Sequence, residues 1–267
     1  MTLGLGLLIL FLVSLVCAAM GFWKFVYFLS VGYGFSVAGC GIAILAMGGY
    51  KDILIVLLAL CLVAYGIRLG GFLLYRELKA ASFKKLFKEI SGNDKPMPIF
   101  VKATIWICVA AMYMTQVSPV FFRMLSGADA AVTGYVGLAI MVVALIIESV
   151  SDSQKSAAKA KNPKRFCDSG LFKIVRCPNY FGEMLFWTGV LISGIGAMSG
   201  WLQWTIAIIG YILIIYVMLS GAKRLEKRQN KNYGADPEYQ AYVAKTPIVF
   251  PLIPLKHLEN VKWIVSS

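Results

Sequence analysis

The stretch Ile53–Arg76, ILIVLLALCLVAYGIRLGGFLLYR, sets the class of this chain. Before Arg76 its only charge is Arg68. A helix needs about 20 apolar residues to cross the hydrocarbon core of a bilayer, and this run supplies them. Six more apolar segments flank it, at roughly Leu3–Met20, Phe22–Met47, Ile99–Phe122, Val132–Val150, Tyr180–Met198 and Trp201–Gly221. The chain is 59% hydrophobic with a mean hydropathy of +0.75. A soluble domain is nearer half apolar, and no polar stretch here is long enough to bury a core of its own. The expected architecture is an all-α membrane protein of about seven transmembrane helices, a single polytopic domain over residues 1–267.

The net charge of +13 comes from 26 Lys and Arg against 13 Asp and Glu. The basic residues gather in Arg76–Met97, in Ser151–Asn179 and in the tail from Ala222. With seven crossings these three stretches share one side, and the other side keeps only Lys51 and Arg123. The positive-inside rule then puts the N-terminus outside and the long loops and C-terminus in the cytoplasm. That rule also explains the charge without nucleic acid, which is not expected as a partner. The N-terminal run MTLGLGLLILFLVSLVCAAM has no basic n-region and is read as a helix rather than a cleaved signal.

Of the six cysteines, Cys17, Cys40, Cys61 and Cys108 lie in apolar segments, and none of the six makes a C-x-x-C pair. His257 is the only histidine. No metal site, disulfide frame or Ser–His–Asp triad is expected. The glycines, among them Gly32, Gly34, Gly39 and Gly41, follow no strand and make no nucleotide-binding fingerprint. Close helix packing is their expected use.

The polar groups that remain are few. Tyr65 and Arg68, three apart, share a helical face. Arg68 either snorkels to the surface or faces a polar cavity, and a phenol such as Tyr65 can donate to a substrate carbonyl. Glu148 and Asp152 stack four apart near Gln154 and Lys155, either on a solvated helix end or around a bound cation or donor. In Arg165–Trp187, RFCDSGLFKIVRCPNYFGEMLFW, Pro178 is expected to break any incoming helix and Asn179 to cap a new one. Glu183 then lies a turn inside, where a carboxylate costs about 2.5–3.5 kcal/mol or more at mid-bilayer unless it has a partner or ligand. In the tail, Lys223–Lys231 continues the seventh helix, and Asp236–Tyr242 is a short helix with Pro237 at its first position. Arg224 and Arg228, one turn apart, can act as phosphate ligands, or the tail is a membrane-surface anchor.

Arg176–Glu183 resembles the Arg-His-Pro-Asn-Tyr-x-Gly-Glu signature of bacterial membrane proteins in the steroid 5-alpha-reductase clan. Glu148, Asp152, Gln154 and Lys155 are similar to its E-x-x-x-D-x-Q-K block, and Gly170–Leu171 to its Gly-Leu. Leu225, Glu226, Tyr239, Tyr242, Thr246 and Pro251 resemble its closing block, and Tyr65–Arg68 its Tyr-x-x-Arg. Cys177 stands where the signature has histidine. Cysteine lacks imidazole's donor–acceptor pair. The resemblance covers about Ile53 to Pro254.

The resemblance implies an integral-membrane oxidoreductase that uses NADPH to reduce a carbon–carbon double bond conjugated to a carbonyl. The substrate would be a lipophilic small molecule, either a lipid or steroid-like, the wider role lipid metabolism, and the surroundings membrane lipids. Tyr65 and Glu183 are the implied catalytic residues. Arg68, Asp152, Lys155, Arg176, Asn179, Tyr180, Glu183, Arg224, Arg228 and Tyr239 are the implied cofactor contacts, with tail 222–267 completing the site. The implied location is a bacterial inner membrane, or the endoplasmic reticulum for a eukaryotic chain. Two alternatives stand beside this: a membrane methyltransferase using S-adenosylmethionine, since such enzymes carry a similar Arg-His-Pro-x-Tyr-x-Gly motif, and a non-catalytic membrane protein.

Overall fold

The structure is a computed structural model that describes residues 1–48, 52–79, 98–127 and 132–265. It is 80% helical, with no strand among the described residues. The helices are α1 (Leu3–Ala18), α2 (Val31–Gly48), α3 (Ile53–Lys79), α4 (Ile99–Ser126), α5 (Val132–Lys161), α6 (Pro178–Gly194), α7 (Gly200–Tyr233) and α8 (Pro237–Lys245). Two 3-10 turns join α1 to α2, and a third precedes α6. Six helical segments are long and apolar enough to cross a membrane, namely Leu3–Phe22, Phe25–Gly48, Ile53–Tyr75, Ile99–Ser126, Val132–Lys161 and Gly200–Tyr233. The remaining apolar segment forms α6, 17 residues long. Lys51, Lys84, Lys85, Lys88 and Lys95, which entered the topology argument, lie outside the described residues.

The chain forms two compact units, Met1–Leu138 with Val190–Tyr211, and Ala139–Gly189 with Ile212–Ser267. In the first, α2 and α3 meet backbone to backbone. A Cβ on Gly34 would lie 2.8 Å from the Gly66 carbonyl, and one on Gly66 would lie 2.3 Å from the Gly34 carbonyl. Only glycine permits this approach, which is how helices without a hydrophobic drive between them gain dispersion energy in lipid. Pro119 sits inside α4 and has no N–H for the Thr115 carbonyl. The Ser118 hydroxyl donates to that carbonyl at 2.7 Å, so the freed acceptor is satisfied.

Arg123, counted on the outer side, is buried at 1% exposure. Its Nη2 donates to the Ile195 carbonyl at 3.0 Å and its Nε to the Ser193 carbonyl. These are carbonyls at the end of α6, where the helix dipole is negative, so the cation serves as a C-terminal cap.

In the second unit, α6 begins at Pro178, and the Phe181 amide bonds to the Cys177 carbonyl at 3.1 Å. Asn179 is therefore not the cap: Pro178 takes the first helical position, where its missing N–H costs nothing, and Asn179 is pushed inside. The short helix expected over Asp236–Tyr242 is α8, with Asp236 as N-cap accepting from the Glu238 amide at 2.9 Å. Lys223–Lys231 does continue the preceding helix, α7, to Tyr233.

Candidate functional site

The second unit gathers nine of the eleven expected site residues. Asp152 and Lys155 lie on α5, Arg176 just before α6, and Asn179, Tyr180 and Glu183 in its first two turns. Arg224 and Arg228 lie on the polar end of α7, and Tyr239 on α8. The other two, Tyr65 and Arg68, belong to α3 of the first unit.

Helix α6 meets both neighbours through glycine. A Cβ on Gly182 would lie 2.6 Å from Cγ of Glu148, and one on Gly221 would lie 2.8 Å from the Tyr180 ring. Glu148 is thus buried against α6 rather than solvated at a helix end, at 2% exposure. Glu183 is buried as well. Lys155, Arg176 and Glu226 act electrostatically on Cys177, and Glu183, Arg224 and Arg228 on the Tyr180 phenol. Among the described residues, neither Arg224 nor Arg228 makes an ion pair, and both are exposed.

Arg176 is anchored through Nη2, and the Tyr239 phenol lies within reach of its guanidinium. Its Nη2 pairs with Glu226 Oε1 at 2.9 Å and donates to the Lys256 carbonyl. Glu226 Oε2 accepts from the Leu258 and Glu259 amides at 2.8 and 3.0 Å, and Oε1 meets His257 Nδ1 at 3.1 Å. The far side of the guanidinium, Nε and Nη1, is buried without a hydrogen-bond partner. So are Oδ1 of Asn179 and Oγ of Ser220. Buried polar groups are nearly always satisfied, so each of these atoms marks a place where a polar ligand or water fits.

The loop before α6 has its own frame. Gln154 Oε1 accepts from the Leu171 amide at 2.9 Å, while Gly170 at φ +59° brings its backbone against the Gln154 amide. The Arg176 and Cys177 amides donate to the Pro247 and Ile248 carbonyls, both at 2.9 Å. Cys177 is buried, which pushes its thiol up to about 11, against the opposing pull of Lys155 and Arg176. It is therefore a neutral thiol at pH 7. Tyr239 packs with Phe166 and Val243, and its hydroxyl donates to Asn230 Oδ1 at 2.7 Å. Burial raises that phenol. A cavity of about 310 Å³ opens on another stripe of α5, lined by Gln154, Lys161, Asn162, Arg165 and Asp168 among others.

In the first unit Tyr65 is fully buried, and its hydroxyl lies 2.9 Å from that of Tyr33. Tyr33 stacks tilted on Tyr113 at 5.0 Å. Arg68, one turn on, is half-buried. Sequence reasoning missed Tyr33, although the repeated dipeptides Tyr33–Gly34 and Tyr65–Gly66 sit at the helix crossing. It also missed Ser220, and missed Glu226 as a clamp, because nothing local marks which distant segment a carboxylate will hold.

The long apolar helices are those of an integral membrane protein, and the family whose profile the chain matches falls in the steroid 5-alpha-reductase-like group. The chain belongs to the family DUF1295, described as a protein of unknown function, whose profile matches residues 16–246. No curated protein and no solved structure matches the chain.

Proposed function

We propose that the protein is an NADPH-dependent reductase of a carbon–carbon double bond conjugated to a carbonyl, acting on a lipophilic substrate within the membrane. The carrying observation is the set of orphaned buried atoms in the second unit: Arg176 Nε and Nη1, Asn179 Oδ1 and Ser220 Oγ. A dinucleotide matches that set, because a phosphate accepts from guanidinium and a carboxamide NH₂ donates to an amide oxygen. Asn179, with Glu183 one turn on, would hold the nicotinamide amide. Arg176, Arg224, Arg228 and Lys155 would hold phosphates, with Asp152 toward a ribose.

Bound there, the cofactor supplies hydride. Tyr65 would stabilise the oxygen that becomes enolate, with Tyr33 orienting its hydroxyl and Arg68 one turn away. Tyr239 in this reading supports the site through packing. The proposed topology has α6 as a seventh crossing, with the N-terminus outside and the C-terminus cytoplasmic, where a soluble cofactor enters.

Titration of the purified protein in nanodiscs with NADPH and with S-adenosylmethionine tests this. NADPH binding that is lost in Asn179→Ala and Glu183→Ala supports the reductase. Selective S-adenosylmethionine binding gives the methyltransferase, and binding of neither sinks both enzyme readings.

A further inference from the structure

The last nineteen described residues, 247–265, lie beyond the family match, yet they are docked in detail. Ile248 N bonds to the Leu255 carbonyl at 2.9 Å and closes a loop over Phe250, Pro251, Leu252, Ile253 and Pro254. The tip of that loop is apolar and bare, with Leu252 at 96% exposure and Ile253 at 52%. No soluble logic explains such a proline-braced apolar knuckle on a polar tail.

From the knuckle the chain runs back along α7. Leu258 and Glu259 bond to Glu226, and Val261 and Ile264 carbonyls accept from the buried Lys223 ammonium at 2.8 and 3.0 Å. The Val265 amide then donates to the Tyr216 hydroxyl at 3.1 Å, and Trp263 lies tilted against the Tyr216 ring at 6.5 Å. Ten residues of helix separate Glu226 from Tyr216, about 15 Å of rise. The chain end therefore climbs from the basic extension of α7 to its apolar stretch. There Trp263 and Val265 stand about two-thirds exposed, with Lys256 and Lys262 exposed in the same tail.

We propose that residues 250–265 form a membrane-interface foot, which seats Leu252, Ile253 and Trp263 among the acyl chains and glycerol region of the adjoining leaflet and sets Lys256 and Lys262 against anionic lipid phosphates. Continuity with a membrane-crossing helix fixes the occupant as that leaflet. Tryptophan at one level and lysine around it is the composition such an interface selects. Glu226 holds both the foot and Arg176, so the same contacts tie lipid engagement to the cluster at α6.

The test uses the full chain in nanodiscs of phosphatidylcholine, with and without phosphatidylglycerol. The emission that Leu252→Trp adds to that of the six native tryptophans, read as the difference from the parent chain, should peak at short wavelength and be quenched by brominated acyl chains. The quenching should deepen with phosphatidylglycerol, and Lys256→Gln with Lys262→Gln should remove that increment. Trp263→Phe should independently delete a share of the quenchable signal of the parent chain. Water-like difference emission for Leu252→Trp, with no lipid quenching lost in Trp263→Phe, overturns the proposal. None of these readouts depends on cofactor binding or turnover.

Discussion

Arg176 and Glu226 are 2.9 Å apart, and their side chains are 1% and 0% exposed. The pair joins the loop just before α6 to α7 across fifty positions of sequence, and Glu226 then carries the tail amides on its second oxygen. A buried ion pair of this kind is costly to break from one side, because the surviving charge stays in a low dielectric.

Glu226→Ala should therefore destabilise the protein by about 3–5 kcal/mol. It strands the guanidinium and frees the tail at once. Glu226→Gln keeps the acceptor toward Arg176 and should lose less. Thermal unfolding in mild detergent, followed by circular dichroism, ranks the three proteins. Equal midpoints for Glu226→Ala and the parent would contradict the clamp.

The α2–α3 crossing gives a paired prediction. A Cβ on Gly66 would sit 2.3 Å from the Gly34 carbonyl, whereas one on Gly71 meets nothing within 4 Å. Gly66→Ala must push the α2 and α3 backbones apart and should cost about 1–3 kcal/mol or more. Gly71→Ala should be neutral or slightly stabilising, since alanine suits a helix better than glycine. The same unfolding assay distinguishes them.

The turn at Gly170 is held by its positive φ of 59° and by Gln154. Gly170→Ala adds a Cβ 2.4 Å from the Gln154 amide and strains the left-handed backbone, at about 1–2 kcal/mol for the latter alone. Faster hydrogen exchange at the Leu171 amide is the direct readout.

Burial raises the Cys177 thiol from 9.0 to about 11. The fold prefers the neutral form, so the linked stability is fully present below pH ~9 and drains away as pH climbs through about 11. At pH 8 Cys177 should resist iodoacetamide in the native protein and react after denaturation in dodecyl sulfate, as read by peptide mass spectrometry. Rapid native labelling would mean an open thiolate and a different loop.

If the proposed function holds, Tyr65→Phe should lower turnover by about 10²–10³-fold, the scale of losing one donor to an oxyanion. Cofactor affinity should stay unchanged. Tyr33→Phe should have a smaller effect, because it removes only the partner 2.9 Å away.

The sequence alone carried the membrane class, six of the seven expected spans and the reach of α7 into the basic tail, because each follows from local apolar runs, prolines and caps. It also marked the Arg176–Glu183 stretch, since a proline, an amide and a carboxylate at a membrane edge demand an explanation wherever the chain goes. What those groups touch came from the folded packing. It moved Asn179 from the cap into the helix, buried Glu148 against Gly182, and set Arg123 as a clamp on the end of α6. It gave Tyr65 a partner in Tyr33 and Arg176 a partner in Glu226. Such pairs join residues about thirty to fifty positions apart, and no local propensity encodes them: they exist because glycine crossings and a docked tail bring distant backbones close enough to desolvate the groups together.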